Sequence, residues 1–257
     1  MIDIHSHIIP NIDDGSKGIN MSLAMLKRAC ESGTSKIVAT PHFFRGYWVE
    51  NKKVVKEKVD ELNKLAKDNN LNIEIYAGQE VFFTDHILED FNNGEIGTIN
   101  GSRYMLIEFP MDRINFQKAI DGVYELKIRG IVPIIAHPER YVDFINNPEK
   151  INQFIEEGYL FQLNGGSITG MFGKEVKKTA EIFLEHNIYS FLGSDAHSDG
   201  NRNTSLEKAC ETLNKLSRGL SKRFEQNALA LLNDEKLTFH GEKVKKKKKG
   251  LFSFFRK

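Results

Sequence analysis

Nine side chains of the types that bind metal ions follow short apolar runs in this sequence. They are His5, His7, Asp14, His42, Glu80, Glu108, His137, Asp195 and His197. The set contains five of the eight histidines in the chain. Ions such as Mn²⁺, Fe²⁺ and Zn²⁺ accept imidazole nitrogen and carboxylate oxygen together. Nine donors from seven separate segments are too many for one ion, so the sequence predicts a multinuclear centre and metal-assisted hydrolysis.

Donors so far apart in the chain need a scaffold that brings them together. Apolar, β-branched runs alternate with amphipathic helical patterns, which favours an α/β fold with a parallel sheet or barrel. The predicted strands cover residues 2–5, 36–40, 73–78, 104–109, 132–136, 159–163 and 189–192. In a barrel of this kind the carboxyl ends of the strands meet at one mouth. We therefore expect the nine donors to lie at that mouth.

Alternation along the first strand separates a further carboxylate from the ligand set. Asp3, His5 and His7 lie two residues apart and point to the same face of a strand. Histidines that bind metals usually donate their second ring nitrogen to a carboxylate or carbonyl. Asp3 is therefore expected to orient a ligand histidine and not to bind metal itself.

Length and composition indicate a single domain over residues 1–240 with a short tail at 241–257. The 257 residues are 40% hydrophobic and 28% charged, which is ordinary for a globular barrel.

Cys30 and Cys210 are the only cysteines and form no CxxC pair. This excludes a disulfide framework and suits the reducing cytoplasm. The sequence contains no export signal and no apolar run long enough to span a membrane.

The charge is distributed unevenly between the predicted body and tail. Residues 243–257 contain eight Lys or Arg and no acidic residue, while the rest has 28 basic against 35 acidic residues. A body of about −7 disfavours nucleic-acid binding. The tail combines lysines with Leu251, Phe252, Phe254 and Phe255. This predicts peripheral attachment to an anionic membrane surface, with a disordered solubilising tail as the alternative.

The donor motifs together resemble those of the PHP superfamily of metal-dependent phosphoesterases. In order they are DIHSH, DDG, ATPHF, GQE, IEFP, AHPER and GSDAH. Over nearly its whole length the chain resembles the CpsB/YwqE-like group, manganese-dependent protein-tyrosine phosphatases encoded with bacterial capsule and exopolysaccharide genes. The resemblance implies a distorted (β/α)7 TIM-like barrel, the PHP fold, with three Mn²⁺ ions. Fe, Zn, Co or Mg would suit the same mixed ligands.

The same resemblance implies how the donors divide among the ions. It places one ion between His5, His7, Glu80 and Asp195. Glu80 would bridge to a second ion, which Glu108 and His137 complete. Asp14, His42 and His197 would hold the third ion.

The implied reaction is hydrolysis of phosphotyrosine by a hydroxide that bridges two ions. The implied partner is a bacterial tyrosine kinase that controls surface-polysaccharide synthesis, on the inner face of the membrane. Arg140 and Arg202 follow His137 and His197 by three and five residues, and a guanidinium is a bidentate match for phosphate. We therefore expect both arginines to clamp the phosphate. Oligomeric state is not indicated.

Several alternatives fit parts of the sequence. A small-molecule phosphatase of the histidinol-phosphate type would use the same metals, and a non-catalytic kinase-binding module would keep metals only for stability. A cysteine-dependent phosphatase is excluded, because Lys36 and Leu216 stand where a Cys-x5-Arg loop requires arginine. The aromatic segment FFRGYW, residues 43–48, would either face a phosphotyrosine ring or pack as an ordinary loop.

Overall fold

A computed structural model describes residues 1–245 of the chain. Its strands are β1 Ile2–Ser6, β2 Lys36–Ala39, β3 His42–Phe43, β4 Glu74–Ala77, β5 Glu80–Phe82, β6 Tyr104–Glu108, β7 Val132–Ile135, β8 Leu160–Asn164 and β9 Phe191–Gly193. Its α-helices are α1 Ile19–Glu31, α2 Lys52–Asp68, α3 Ile87–Asn92, α4 Phe116–Lys127, α5 Val142–Asn146, α6 Asn152–Glu156, α7 Gly165–Thr169, α8 Lys174–Glu185, α9 Glu207–Leu216 and α10 Leu220–Leu232. Short 3-10 turns cover Ile99–Gly101, Pro138–Arg140 and Pro148–Ile151.

The strands form one curled parallel sheet in two pieces, in the orders β1-β2-β4 and β3-β5-β6-β7-β8-β9. Hydrogen bonds from Gly78 N to Ala39 O and from Glu80 N to Pro41 O continue the ladder across the break between the pieces. Beyond β9, Asp195 N donates to His5 O at 2.8 Å. This last bond joins the two outer edges of the sheet, so the strands enclose a distorted barrel.

Apolar side chains fill the amino-terminal half of the barrel. Alternation along β6 sends Tyr104, Leu106 and Glu108 to the interior, and the first two join a buried cluster with Ile4 and Ile134. Helix α10 packs across β1 and β9 and contributes to the same cluster. The amino-terminal end of the barrel is therefore apolar and covered. The polar side chains lie at the carboxyl-terminal ends of the strands, where they line the open mouth.

The predicted fold class is confirmed, but two of the predicted strands are each followed, after a short break, by a second strand that was not predicted. The run 36–40 ends at Ala39 and resumes as β3 at His42, and the run 73–78 ends at Ala77 and resumes as β5 at Glu80. Pro41 interrupts the first run because it has no N–H to donate to the ladder. The sequence did not predict α3, α5 or α7, which have only five or six residues each.

The first residues of the predicted tail lie against the body. Val244 is buried, and its N–H donates to Asn152 Oδ1 at 2.8 Å while its carbonyl accepts from Asn152 Nδ2 at 3.0 Å. The proposed boundary at residue 240 remains a prediction, and residues 246–257 lie outside the described part of the chain. Among residues 1–245, no helix has the length and apolar character needed to cross a bilayer.

Closure of the barrel requires glycine at the end of β9, which gives a first prediction. A Cβ atom at Gly193 would lie 2.6 Å from His5 Cβ and 2.9 Å from Gln162 Nε2. Gly193→Ala should therefore lower the free energy of unfolding by about 1–3 kcal/mol, measured by urea denaturation. Gly200→Ala is the control, since its Cβ would meet only Ser198 Oγ at 3.7 Å. Equal stability of the two variants would contradict this account of the closure.

Candidate metal centre

All nine predicted donors lie at the carboxyl-terminal mouth of the barrel. His5 is the next-to-last residue of β1, and Glu108 is the last residue of β6. His42 and Glu80 begin the short strands β3 and β5, and the others lie in the loops beyond the strands. Eight of the nine are buried or nearly so, while Asp14 keeps about half of its side chain exposed. Glu80 Oε2 lies at the centre of the cluster. Its nearest nitrogens are His5 Nε2 at 3.1 Å, His42 Nδ1 at 3.2 Å and His7 Nε2 at 3.3 Å.

Three groups of donor atoms are close enough to hold metal ions. The first, His5, His7, Glu80 and Asp195, is the set that the family resemblance implies for one ion. The second joins Asp14, His42 and His197 with His7, and the third joins His42 with Glu80 and Glu108. His137 Nε2 lies 3.0 Å from Glu80 Oε1 and 3.6 Å from Glu108 Oε1, so it also faces the third group. Shared residues place the three groups side by side.

The hydrogen bonds of two histidines fit metal binding. His5 Nδ1 lies 3.0 Å from Gln162 Oε1, and His7 Nδ1 lies 2.7 Å from Asp13 Oδ2. Both partner oxygens accept hydrogen bonds, since Asp13 Oδ2 belongs to a carboxylate and Gln162 Oε1 also accepts from His137 N. The Nδ1 atoms therefore carry hydrogen, and the Nε2 lone pairs of His5 and His7 face each other at 3.2 Å. Only a positive charge between them, a metal ion or a proton, relieves this repulsion.

The other three histidines are held neutral, which is the form that binds metals. Burial lowers the pKa of His42 and of His197 below the ordinary histidine value. Burial, and then the charge of Arg140, lower the pKa of His137 to about 4.

The carboxylates also require compensating positive charge. Burial raises the pKa of Glu108 well above its ordinary value, and the charges of Glu80 and Asp195 raise it further. Glu80 Oε2 is fully buried and accepts no conventional hydrogen bond from the described residues. A buried carboxylate oxygen without a donor is costly unless a cation lies beside it. The residues present therefore fit a group of divalent ions.

Asp3 lies in none of the three donor groups, as expected, but it contacts the backbone of His5 and not its ring, so the expected imidazole contact is wrong. Asp3 Oδ1 accepts backbone N–H groups, from His5 at 3.1 Å and from Ser194 at 2.9 Å, and so fixes the junction of β1 with the loop after β9. Asp13 and Gln162 orient the imidazoles instead. Asp13 stands beside a predicted donor in the DDG motif, and Gln162 interrupts the apolar run of β8 on its interior face. Both signals were present in the sequence.

Two ligand candidates have unusual backbone conformations. His137 has φ +30° and Asp195 has φ +51°, both in the left-handed region. Non-glycine residues rarely adopt this region, and they concentrate at functional sites where the surroundings enforce it. At both positions the chain turns sharply after a strand, and each turn carries its side chain into the mouth.

Arg140 and Arg202 converge on one oxygen of Asp195. Arg140 Nη1 lies 2.6 Å and Arg202 Nη2 2.8 Å from Asp195 Oδ2. Asn164 Nδ2 donates to the same oxygen at 2.7 Å, while Oδ1 faces His5 and His7. Asp195 therefore joins the donor cluster to the guanidinium groups of Arg140 and Arg202 at the rim of the cluster.

Aromatic side chains and both arginines line a cavity of about 270 Å³ above the cluster. Trp48 stacks on His42 with ring centroids 5.2 Å apart, and Phe44 stacks on Phe82 at 4.0 Å. Arg45 anchors this aromatic loop, since its Nε donates to the buried Asp90 at 2.7 Å. Residues 43–48 therefore pack as a loop, and Phe44 and Trp48 within it also line the cavity. Contact with a phosphotyrosine ring stays a prediction.

Comparison with known proteins agrees with these features. Residues 1–233 match the family model described as capsular polysaccharide synthesis, CpsB/CapC. The chain is 33% identical to tyrosine-protein phosphatase YwqE of Bacillus subtilis, covering 99% of this chain and 100% of that protein. It is 33% identical to tyrosine-protein phosphatase CpsB of Streptococcus pneumoniae, covering 84% and 90% respectively.

The fold is also that of a solved relative. A structure from a study of YwqE and CpsB, described there as unique metal-dependent tyrosine phosphatases, superimposes with a TM-score of 0.90. It covers 95% of this chain and 100% of its own, at 33% identity. This chain therefore belongs to the CpsB/CapC family of capsular polysaccharide synthesis proteins.

Proposed function

We propose that this protein is a metal-dependent tyrosine phosphatase that removes phosphate from phosphotyrosine in proteins. The observation that carries the proposal is the convergence of nine donors around Glu80, with two arginines at the rim. The names of the full-length relatives support the same reaction. Its substrate is proposed to be a bacterial tyrosine kinase that regulates capsule or exopolysaccharide synthesis.

The metal is proposed to be Mn²⁺, in three ions. His5, His7, Glu80 and Asp195 would hold one, with Glu80 shared; Glu108 and His137 would complete the second; Asp14, His42 and His197 would hold the third. Divalent ions in such a site lower the pKa of bound water and neutralise phosphate oxygens. Asp13 and Gln162 keep the His7 and His5 rings turned toward the centre.

The remaining residues bind and orient the phosphate ester. Arg140 and Arg202 lie at the rim with free guanidinium hydrogens to donate to the non-bridging oxygens, as a planar bidentate group. Phe44 and Trp48 line the cavity where an aromatic ring attached to that phosphate would lie. A phenol leaves with a pKa of about 10, so the reaction needs little help from a general acid.

The residues after Lys245 are proposed to hold the protein at the inner face of the cytoplasmic membrane. Lys246 to Lys249 and Arg256 supply positive charge, and Phe252, Phe254 and Phe255 supply aromatic groups. A basic cluster gains about 1 kcal/mol per residue near an anionic leaflet. Attachment there would bring the protein close to a membrane-bound kinase.

Substrate preference tests the proposed reaction. With Mn²⁺ present, kcat/KM on phosphotyrosine peptides should exceed that on histidinol phosphate by about 100-fold or more. The reason is that Phe44 and Trp48, which line the cavity, match the aromatic ring of a phenyl ester. Steady-state phosphate release measures both. A double variant, Cys30→Ser with Cys210→Ser, should keep full activity, since neither thiol attacks phosphorus. The opposite preference would indicate a small-molecule phosphatase, and metal binding without turnover a non-catalytic module.

Removal of one imidazole tests the metal centre. His5→Ala should lower the number of ions bound per chain and reduce turnover by more than about 100-fold, because its ring faces Glu80 and Asp195. Inductively coupled plasma mass spectrometry on protein purified with Mn²⁺ counts the ions. His86→Ala is the matched control, since this ring is 59% exposed and bonds only to the exposed Glu89. Full turnover of the His5 variant with ions missing would refute the metal mechanism.

Truncation tests the membrane proposal. Because Val244 is held by Asn152, the deletion should begin at residue 246 and leave the body intact. Loss of residues 246–257 should reduce co-sedimentation with vesicles containing phosphatidylserine by about tenfold or more. Vesicles of phosphatidylcholine alone give the uncharged reference. Unchanged binding to the anionic vesicles would exclude the tail as the anchor.

A further inference from the structure

Both rim arginines lie against one aromatic ring that the proposed reaction does not use. The Arg140 guanidinium carbon is 4.5 Å from the centroid of Phe172, and that of Arg202 is 5.8 Å from it. These separations fall within the range of cation–π attraction. Phe172 lies between α7 and α8, and is neither a donor nor part of the aromatic loop at residues 43–48.

The position of the ring is fixed by the turn that carries it. Gly170 and Gly173 flank the segment with φ +91° and +94°, a conformation that glycine adopts without strain. The ring packs on α7 so closely that a Cβ atom at Gly166 would lie 2.8 Å from Phe172 Cε2. The Gly166 N–H in turn donates to Asn164 Oδ1 at 2.8 Å.

Asn164 connects the α7 segment that carries Phe172 to the cluster of donors. Its Nδ2 donates to Asp195 Oδ2, the oxygen that both arginines contact. Arg140 uses only Nη1 in this contact, and Arg202 uses only Nη2, which also donates to the Asp195 carbonyl at 3.2 Å. Bonds through one nitrogen fix the distance of each guanidinium but leave its plane free to rotate about that nitrogen. The face of Phe172 removes that freedom on one side. The side chains of Arg140 and Arg202 are still 19% and 32% exposed, so without the ring each would have room to turn toward solvent.

We propose that Phe172 is a positioning residue that holds Arg140 and Arg202 as one preorganised pair for the phosphate group. The inference rests on the proposed function, since it names what orders the proposed phosphate clamp. An arginine that is already ordered loses less side-chain entropy when phosphate binds. The ring therefore strengthens phosphate binding without touching the substrate.

The test compares two replacements of similar volume. Phe172→Leu removes the aromatic face but keeps an apolar side chain, whereas Phe172→Tyr keeps the face. For Phe172→Leu we expect KM for a phosphotyrosine peptide and Ki for inorganic phosphate to rise about tenfold, with kcat within about twofold of wild type. Phe172→Tyr should restore both constants to within about twofold of wild type.

A second readout follows the arginines without any turnover. Phenylglyoxal modification of Arg140 and Arg202, followed by peptide mass spectrometry, should be several-fold faster in Phe172→Leu than in wild type or Phe172→Tyr. Phe116→Leu is the matched control, because Phe116 is also partly buried and lies 5.5 Å from Lys150 Nζ, but does not line the cavity above the donors. This control should leave KM, Ki and the modification rates unchanged.

The outcomes separate the two proposals. Wild-type protein that binds phosphate and hydrolyses the peptide, together with a Phe172→Leu variant of unchanged Ki and arginine reactivity, would overturn the role of Phe172 alone. Equal impairment by leucine and tyrosine would also overturn it, because the effect would then come from packing. A wild-type protein without turnover contradicts the proposed function, while faster arginine modification in Phe172→Leu would still support the positioning role of Phe172.

Discussion

The structure depends on burying a carboxylate, Glu80, among imidazoles at the mouth of the barrel. Its Oε2 atom lies within 3.3 Å of ring nitrogens from His5, His7 and His42. Burying a lone carboxylate is costly, and burying several side by side is more so. The cluster is consistent with a stable fold only if positive charge is supplied, by protons or by metal ions. The buried carboxylates that destabilise the fold without positive charge are therefore also the groups that would bind cations.

The backbone supplies the precision that this arrangement needs. His42 and Glu80 lie at the starts of β3 and β5, where their pairing in register puts them side by side. At His137 and Asp195 the chain turns through left-handed conformations that the closed barrel enforces. Bonds from Asp13 and Gln162 then set the rotation of the rings. Position, direction and rotation of each donor are therefore set by different parts of the fold.

Sequence reasoning reached the fold class and the convergence of donors, because period-two alternation and strand ends are local signals. It missed what depends on tertiary contacts. Asp3 has the right spacing for an imidazole partner but turns to the backbone N–H groups of His5 and Ser194. The short α7 offers too few residues for a helical pattern, yet it supports Phe172. For the break after Ala39, the only signal in the sequence was Pro41, which has no N–H to donate to the strand ladder.

Asp195 explains why the donors and the arginines form one unit. Its Oδ1 faces His5 and His7, and its Oδ2 accepts from Asn164 and from both arginines. A cation bound on the Oδ1 side would draw charge away from Oδ2 and weaken the hold on the guanidiniums. Arginines that are bound less tightly by the Asp195 carboxylate would be better donors to phosphate, provided that another contact keeps their guanidinium groups in place. An uncharged aromatic face meets that need, because it holds a guanidinium without competing for its hydrogens.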